Sequence, residues 1–472
     1  MILLIIVFLL PILSGGMLVH LLWPERDFKI LFFKAFLGIG LGLGLSSLLY
    51  FLYLHLFAGQ RWFIFVQLAI FFVLLGATIW KERKPAWPVL PRWNLTRTQT
   101  ILSAVALIIF LISLASTASY LLRRKQGDWD AWMMYNRAAR FVYRDQANWL
   151  ASFSRQMDPI FHADYPLLLA MNTASGWDAL GMETPRVPMM QSALFAVGVL
   201  GLAVSALASI KSTGQAALGA IILWGTPALV NEGARELADV PLAFFMLATV
   251  ILIYFYVLQK KPALIALAGL SAGLAAWTKN EGGLFVVAFG LALAIAFFKQ
   301  KPFRVLFFYA LGLTFPFAIT LYFKLFLAPP SDVLSSGAAK SLQQILDLSR
   351  HAEIIKFFWN QFIRFGSWTG ISLAIGVFPI LLIYFLLFRS PIRAQHRRAY
   401  IAGITILVVQ ALGDYAVYLI TPYDLNWHLS YSGQRIVLQV FPLITFLILC
   451  ASQTPETVFE SNQIGANHAA RH

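Results

Sequence analysis

Runs of roughly 17–25 apolar residues recur along almost the whole chain, separated by short polar breaks, and that length is what crossing about 30 Å of hydrocarbon requires. A chain built this way folds into helices that close their own backbone hydrogen bonds, because lipid offers no partner. Of its 472 residues 59% are hydrophobic and 12% charged, where a water-soluble domain carries about 25% charged.

Apolar length places spans at 2–23, 30–57, 62–80, 99–122, 188–209, 214–231, 239–258, 262–278, 282–298, 304–327, 370–388, 399–420 and 434–451. The expected fold class is therefore all-α, a polytopic transmembrane bundle of about 13 spans with its two ends on opposite sides. Residues 1–98 read as helices added to a core at 99–451, and 452–472 as a polar, disordered cytoplasmic tail. The opening MILLIIVFLLPILSGG has no basic residue before Arg26, so it reads as an uncleaved helix with its N-terminus outside. A single cysteine, Cys450, excludes an internal disulfide framework, and no Cys/His cluster has zinc spacing. No 20–50-residue repeat and no inverted symmetry of hydropathy is visible.

The net charge of +15 sits in short loops and not in a separate basic domain, so membrane lipids, and not nucleic acid, are the expected counter-charge. The groups Arg26/Lys29/Lys34, Lys81/Arg83/Lys84/Arg92/Arg97, Lys211, Lys260/Lys261, Lys299/Lys301/Arg304 and Arg389/Arg393/Arg397/Arg398 fall on one side, which the positive-inside rule makes cytoplasmic. Asn94-Leu95-Thr96, a glycosylation pattern, lies on that side and is set aside. Of the 21 acidic residues only Glu25, Asp27, Glu82, Glu456 and Glu460 join them. The remaining sixteen lie outside or, like Asp414, in the outer part of a helix.

Two external segments are long, 123–187 and 328–369. In the first, 166–187 is apolar, but a span there would invert every basic loop downstream, so it reads as re-entrant or surface-lying. In the second, Leu342, Ile345, Leu346, Ile354, Ile355, Phe358 and Phe362 recur at helical spacing between charged residues, the pattern of an amphipathic interfacial helix.

Five segments carry polar groups to the external face: GDWDAW, HADYP, NEGARELADVP, TKNEG and TPYDLNWHLSYSGQR. Asp128 and Asp130 follow a helix end beside Trp129 and Trp132, where a carboxylate is partly desolvated and fit to act as a base or metal ligand. Lys279 and Glu281 share a turn so tight that the ammonium stays at the membrane surface, where it can hold a phosphate or simply pair with Glu281. His428 and Arg435 stand two helical turns apart and share a face if the last helix starts early enough. Asp424 and Trp427 precede them. Glu232, Arg235, Glu236 and Asp239 crowd one turn, where Asp239 also fits as an N-cap before Pro241. His162, Asp164 and Tyr165 form a less specific loop group.

The stretch DAWMMYNRAARF from Asp130 resembles the first external loop of GT-C glycosyltransferases. DVPLAFF from Asp239, TKNEG, and DLNWHL followed by Arg435 are similar to the mannosyltransferase and aminoarabinose-transferase branch, over about residues 99–451. The resemblance implies a GT-C-like fold and transfer of a sugar from a polyprenyl phosphate or diphosphate to a protein, lipid or glycan acceptor on the non-cytoplasmic face, in the plasma membrane of a prokaryote. It makes Asp130 the catalytic carboxylate, with Asp128, separated from it by Trp129, as the alternative base. It puts Lys279, His428 and Arg435 on the donor phosphate. His162, Asp164, Tyr165, Glu232, Arg235, Glu236, Asp239, Glu281, Asp424 and Trp427 are then candidates for positioning sugar or acceptor. One base and a phosphate leaving group suit direct displacement with inversion. Oxygen ligands near Asp128, Asp130 and Asp239 would admit a divalent metal, although no spacing demands one. The rival class is a transporter or lipid flippase, which should carry ionisable groups near the midplane, and the spans hold almost none.

Overall fold

A chain this apolar must satisfy its own backbone polar groups, and it does so with helices throughout. The computed structural model describes residues 2–82, 94–154, 156–157, 159–300, 302–331, 337–367 and 375–459, and no β-strand occurs among them. The helices are α1 (Ile2–Leu22), α2 (Phe28–Phe57), α3 (Phe63–Lys81), α4 (Arg97–Arg123), α5 (Asn136–Arg144), α6 (Leu168–Leu180), α7 (Arg186–Ile210), α8 (Thr213–Gly225) and α9 (Pro227–Gly233). They continue with α10 (Asp239–Gln259), α11 (Pro262–Thr278), α12 (Asn280–Ala296), α13 (Pro302–Tyr322), α14 (Ala338–Leu346), α15 (Leu348–Arg364), α16 (Val377–Phe388), α17 (Arg397–Ile420) and α18 (Leu425–Cys450).

Among the described residues nine helices are long and apolar enough to cross a membrane: α1, α2, α3, α4, α7, α10, α13 with the wide turn that prolongs it to Leu327, α17 and α18. The chain is a helical membrane bundle. The single straight span expected at 214–231 is instead α8 and α9, bent by 69°. Pro227 cannot donate to the preceding turn, the Thr226 hydroxyl takes the Ile222 carbonyl at 2.6 Å, and Ser113 of α4 donates to the Trp224 carbonyl at 2.6 Å. α11, α12 and α16 are shorter apolar helices, and the start of the span expected at 370–388 lies outside the described residues. So do Arg83, Lys84, Arg92, Lys301 and the expected tail from Glu460 onward.

Segment 166–187 folds as α6, whose 13 residues reach about 20 Å and cannot cross the hydrocarbon. Leu168 to Asp178 are all buried, so α6 is packed inside the bundle and does not lie on its surface. The one amphipathic helix expected around 342–362 is split at Asp347, whose carboxylate caps the Ser349 N–H at 2.9 Å and starts α15 anew. Thr96 of the discarded Asn-Leu-Thr pattern is the N-cap of α4, in a reciprocal capping box with Gln99.

α10 is the axis of the bundle. Asp239 through Phe255 is buried without interruption, against α7, α11 and α18. Outer helices show the inverse pattern, with Phe65, Phe72, Ile108, Ile112, Phe307 and Leu387 exposed, an apolar exterior suited to lipid and not to water. Lipid gives no hydrophobic drive between helices, so close packing must hold them together. A methyl added at Gly312 of α13 would overlap the Ala266 carbonyl of α11.

Contacts also sort the helix ends as the loop charges do. One end brings Asp128 to Arg235, Asp130 to Arg435, Asp239 to Lys279 and Asp164 to Lys324. The other brings Glu25 to Lys261, Arg26 to Glu82, and the Lys29 ammonium to the Ala208 carbonyl.

Replacing Gly312 by leucine must push α11 from α13, and overpacking of this kind typically destabilises by about 1–3 kcal/mol. The thermal midpoint in detergent should fall clearly for G312L and stay near wild type for Gly290→Ala, whose added methyl meets nothing closer than 3.5 Å.

Candidate active site

The site is assembled by four tight backbone features. After α4, Gly127 takes a left-handed φ of 70° that a side chain would strain, and the next N–H, of Asp128, donates to the Arg235 carbonyl at 3.1 Å. A wide turn at Ala131–Tyr135 follows, of the kind that re-aims side chains at functional sites. Between α11 and α12 only Lys279 is extended, and Gly282 lets the turn close against the Ala275 carbonyl, which a Cβ would strike. α18 starts at Leu425, nine residues before the expected 434, because Asp424 caps the Trp427 N–H at 2.8 Å. That early start puts His428, Tyr431 and Arg435 on one face, at spacings of three and four.

These features bring five ionisable groups into one chain of contacts. Arg435 donates to Asp130 Oδ2 at 2.5 Å and, through Nε, to Asp239 Oδ2 at 2.9 Å. Lys279 Nζ reaches Asp239 Oδ1 at 2.9 Å and Glu281 Oε1 at 2.7 Å. Gln439 Nε2 donates to Asp239 Oδ1 at 2.7 Å, and the Tyr431 hydroxyl donates to the other Asp130 oxygen. Asp239 is fully buried. It is not the N-cap of α10, a place taken by Ala238, but the node on which two cations converge.

Beside this chain opens a cavity of about 770 Å³. Asp130, Lys279, Glu281, Asp414, His428 and Arg435 line it, together with Lys324, His162 and Tyr165 and the aromatic rings of Trp129, Tyr418, Trp427 and Tyr431. His428 Nδ1 pairs with the Thr421 hydroxyl at 2.9 Å. Asp414 accepts from the Gln410 amide at 3.2 Å.

Six expected site residues lie elsewhere. Asp128 pairs with Arg235, which also holds Glu232, in a neighbouring cluster off the main cavity. Burial raises the Asp128 carboxyl, yet the Arg235 guanidinium and the Trp129 N–H outweigh that and hold it below the usual carboxylate range. It is a poor base there. Glu236 is buried against the Asn136 amide at 3.3 Å, and burial pushes it up to about 8. Asp164 sits behind the wall, where it accepts from Asn280 at 3.0 Å and Lys324 at 3.2 Å. Asp424 is the helix cap already described.

Comparison with protein-family models, with curated proteins and with solved structures found no match for this chain. The geometry has to speak alone.

On the metal question, no three His, Cys, Asp or Glu side chains converge to hold an ion among the described residues. The carboxylates expected to admit one, Asp128, Asp130 and Asp239, are each satisfied by arginine or lysine, so protein cations take the place a metal would fill.

Lys324, Asp414 and Tyr431 are wall residues that sequence reasoning passed over. Tyr431 was within reach, since it completes the helical face of His428 and Arg435. Lys324 interrupts the apolar run FKLFL where the wide turn ends α13, and Asp414 stands four residues from Gln410 inside α17.

Removing one partner of a buried ion pair typically costs about 3–5 kcal/mol, because the other charge is left stranded. Asp239→Asn should therefore lower the yield of folded protein and its thermal midpoint sharply, as size-exclusion profiles and melting in detergent would report. Glu236 carries a pH signature. Its folded value lies above its unfolded one, so its contribution is fully present below about 4.5 and is lost as pH rises to about 8. The midpoint should decline across that window in the wild type and decline less in Glu236→Gln.

Proposed function

We propose that the chain is a membrane glycosyltransferase that moves a sugar from a polyprenyl phosphate or diphosphate to an acceptor at the polar end of the bundle. The observation that carries this reading is a pair of adjacent cavities with a shared wall. The polar chamber of about 770 Å³ shares Asp414 and Ile436 with an apolar groove of about 760 Å³ between α15, α16, α17 and α18. The groove is walled by Phe358, Phe362, Leu382, Val440 and Ile444, among others. A charged, aromatic-lined head chamber beside an apolar trough matches an amphiphile with a phosphosugar head and a long hydrocarbon tail. The chamber faces the outer leaflet in this reading, 13 helical segments cross or dip into the bilayer, and α14 and α15 lie in the interface with Leu346 and Ile355 exposed.

A mechanism follows from the contacts. Without donor, the two Asp130 oxygens are taken up by Arg435 and Tyr431, which leaves the carboxylate closed to an acceptor hydroxyl. A donor phosphate entering beside His428, Lys279 and Lys324 competes for Arg435 and releases Asp130. The acceptor hydroxyl gives its proton to the freed carboxylate as its oxygen bonds to the anomeric carbon. The anomeric carbon–oxygen bond breaks, and the lipid phosphate leaves with the electron pair, its charge held by the cations. Displacement from the opposite side inverts the anomeric centre. Asp414, hydrogen-bonded by an amide, is the second carboxylate in reach of an acceptor. A transport path is less well supported, because α10, the axis, has no Asp, Glu, Lys, Arg or His between Asp239 and Lys260.

Mass spectrometry of copurifying lipids tests the donor class, and a polyprenyl-phosphate sugar is expected. With that donor, Asp130→Asn should abolish transfer and leave donor binding near normal. His428→Ala should weaken donor binding by about tenfold, the loss of one hydrogen bond to a charged group. Full turnover by D130N removes Asp130 from the chemistry and passes the role of base to Asp414.

A further inference from the structure

At the opposite end of the bundle lies a second polar cavity, of about 440 Å³, built from three segments far apart in sequence. They are the α7–α8 turn, the connection from α16 to α17, and the end of α18 with the residues after it. Backbone hydrogen bonds fix two of them together, Ser390 N–H to the Ala451 carbonyl at 2.9 Å and Gln453 N–H to the Phe388 carbonyl at 2.7 Å. Lys211 ties in the third, its ammonium donating to the Cys450 carbonyl at 3.2 Å.

The charge at this cavity is one-sided. Lys211, Arg393 and His396 line it, and among the described residues no aspartate or glutamate does. Glu456, the acid nearest in sequence, is turned away to accept from Gln99 at 2.7 Å, the Gly214 N–H at 2.9 Å and Ser212 at 3.0 Å. Burial, and then the charges of Arg393 and Lys211, depress the His396 imidazole, and burial and Arg393 depress the Lys211 ammonium. Two cations, Lys211 and Arg393, and a neutral imidazole thus share a space in which no carboxylate stands among the described residues. The carbonyl end of α18, which would repel an anion, is covered by the Lys211 ammonium. Ser390 and Thr454 add hydroxyls to the wall.

An ammonium, a guanidinium, an imidazole and hydroxyls around one cavity are the donor set of a phosphate site. The cavity opens where the apolar helices α7, α16 and α18 meet or end, the level at which lipid head groups lie. We propose that it binds a phosphate-bearing anion, from the head group of an anionic phospholipid or from free phosphate. The site is independent of the sugar-transfer reading, since none of its residues touches the active-site cavity.

The full chain in nanodiscs tests this, by melting and by native mass spectrometry, in three arms: phosphatidylcholine alone, phosphatidylcholine with phosphatidylglycerol, and phosphatidylcholine with inorganic phosphate in the buffer. An anion should raise the thermal midpoint and stay bound in the gas phase. Stabilisation by phosphatidylglycerol only makes the source a lipid, and stabilisation by inorganic phosphate makes it a free ion. Lys211→Gln and Arg393→Gln should each weaken the effect by about tenfold. Arg26→Gln, which removes an equal charge from the same end, should leave it unchanged. Arg393 is exposed, so R393Q folds even if K211Q does not. No stabilisation in either anionic arm, or wild-type affinity in R393Q, overturns the proposal.

Discussion

A carboxylate with no solvent exposure, at the start of the most deeply buried helix, is the constraint around which the bundle is arranged. Ionised and alone, Asp239 would cost several kcal/mol to desolvate. It is tolerable because Lys279 and Arg435 arrive from two other places in the chain and Gln439 satisfies an oxygen besides. Those partners fix geometry as well as charge. Lys279 reaches Asp239 only if α11 and α12 meet in a turn one residue long, and Arg435 only if α18 passes at the register that also puts Gln439 one helical turn further on.

The same node decides what the cavity wall can do. Arg435 and Lys279 each touch Asp239 on the buried side and a cavity carboxylate, Asp130 or Glu281, on the other. Each is thus held rigidly from behind and presented with an exchangeable partner in front. Rigid backing lets a wall bind an incoming anion without paying to organise itself. In the proposed reaction this exchange is what couples donor arrival to the opening of Asp130 toward the acceptor. On the same reading, the apolar groove that shares Asp414 and Ile436 with the chamber would keep a long tail clear of the charged wall.

Most of the helices were legible because hydrocarbon leaves the backbone one economical choice, and the length of each apolar run then marks the helix. The bend at Thr226 was hidden, since hydropathy sums composition and is blind to direction, and only Pro227 hinted at it. That the polar segments gather at one end was readable from loop charge. Which side chain meets which was not. Asp128 and Asp130, two residues apart in one turn, point into different clusters, one to Arg235 and one to Arg435. Asp424 and His428 stand one helical turn apart, but the first closes a helix end and the second lines the cavity. Such divisions depend on side-chain direction within a turn, which spacing alone does not encode.

A buried acidic node is compatible with a net charge of +15 because its own cations neutralise it, while a separate basic cluster stands at the other end. At the end that holds the candidate site, carboxylates and cations alternate in contact along the run Asp130, Arg435, Asp239, Lys279, Glu281. At the other end Lys211, Arg393 and His396 share a cavity that, among the described residues, no carboxylate lines. On the proposal made above, this cluster draws its counter-charge from outside, and anionic head groups are the nearest supply. On the proposed reading, the bundle is thereby held by lipid at one end and left open for chemistry at the other.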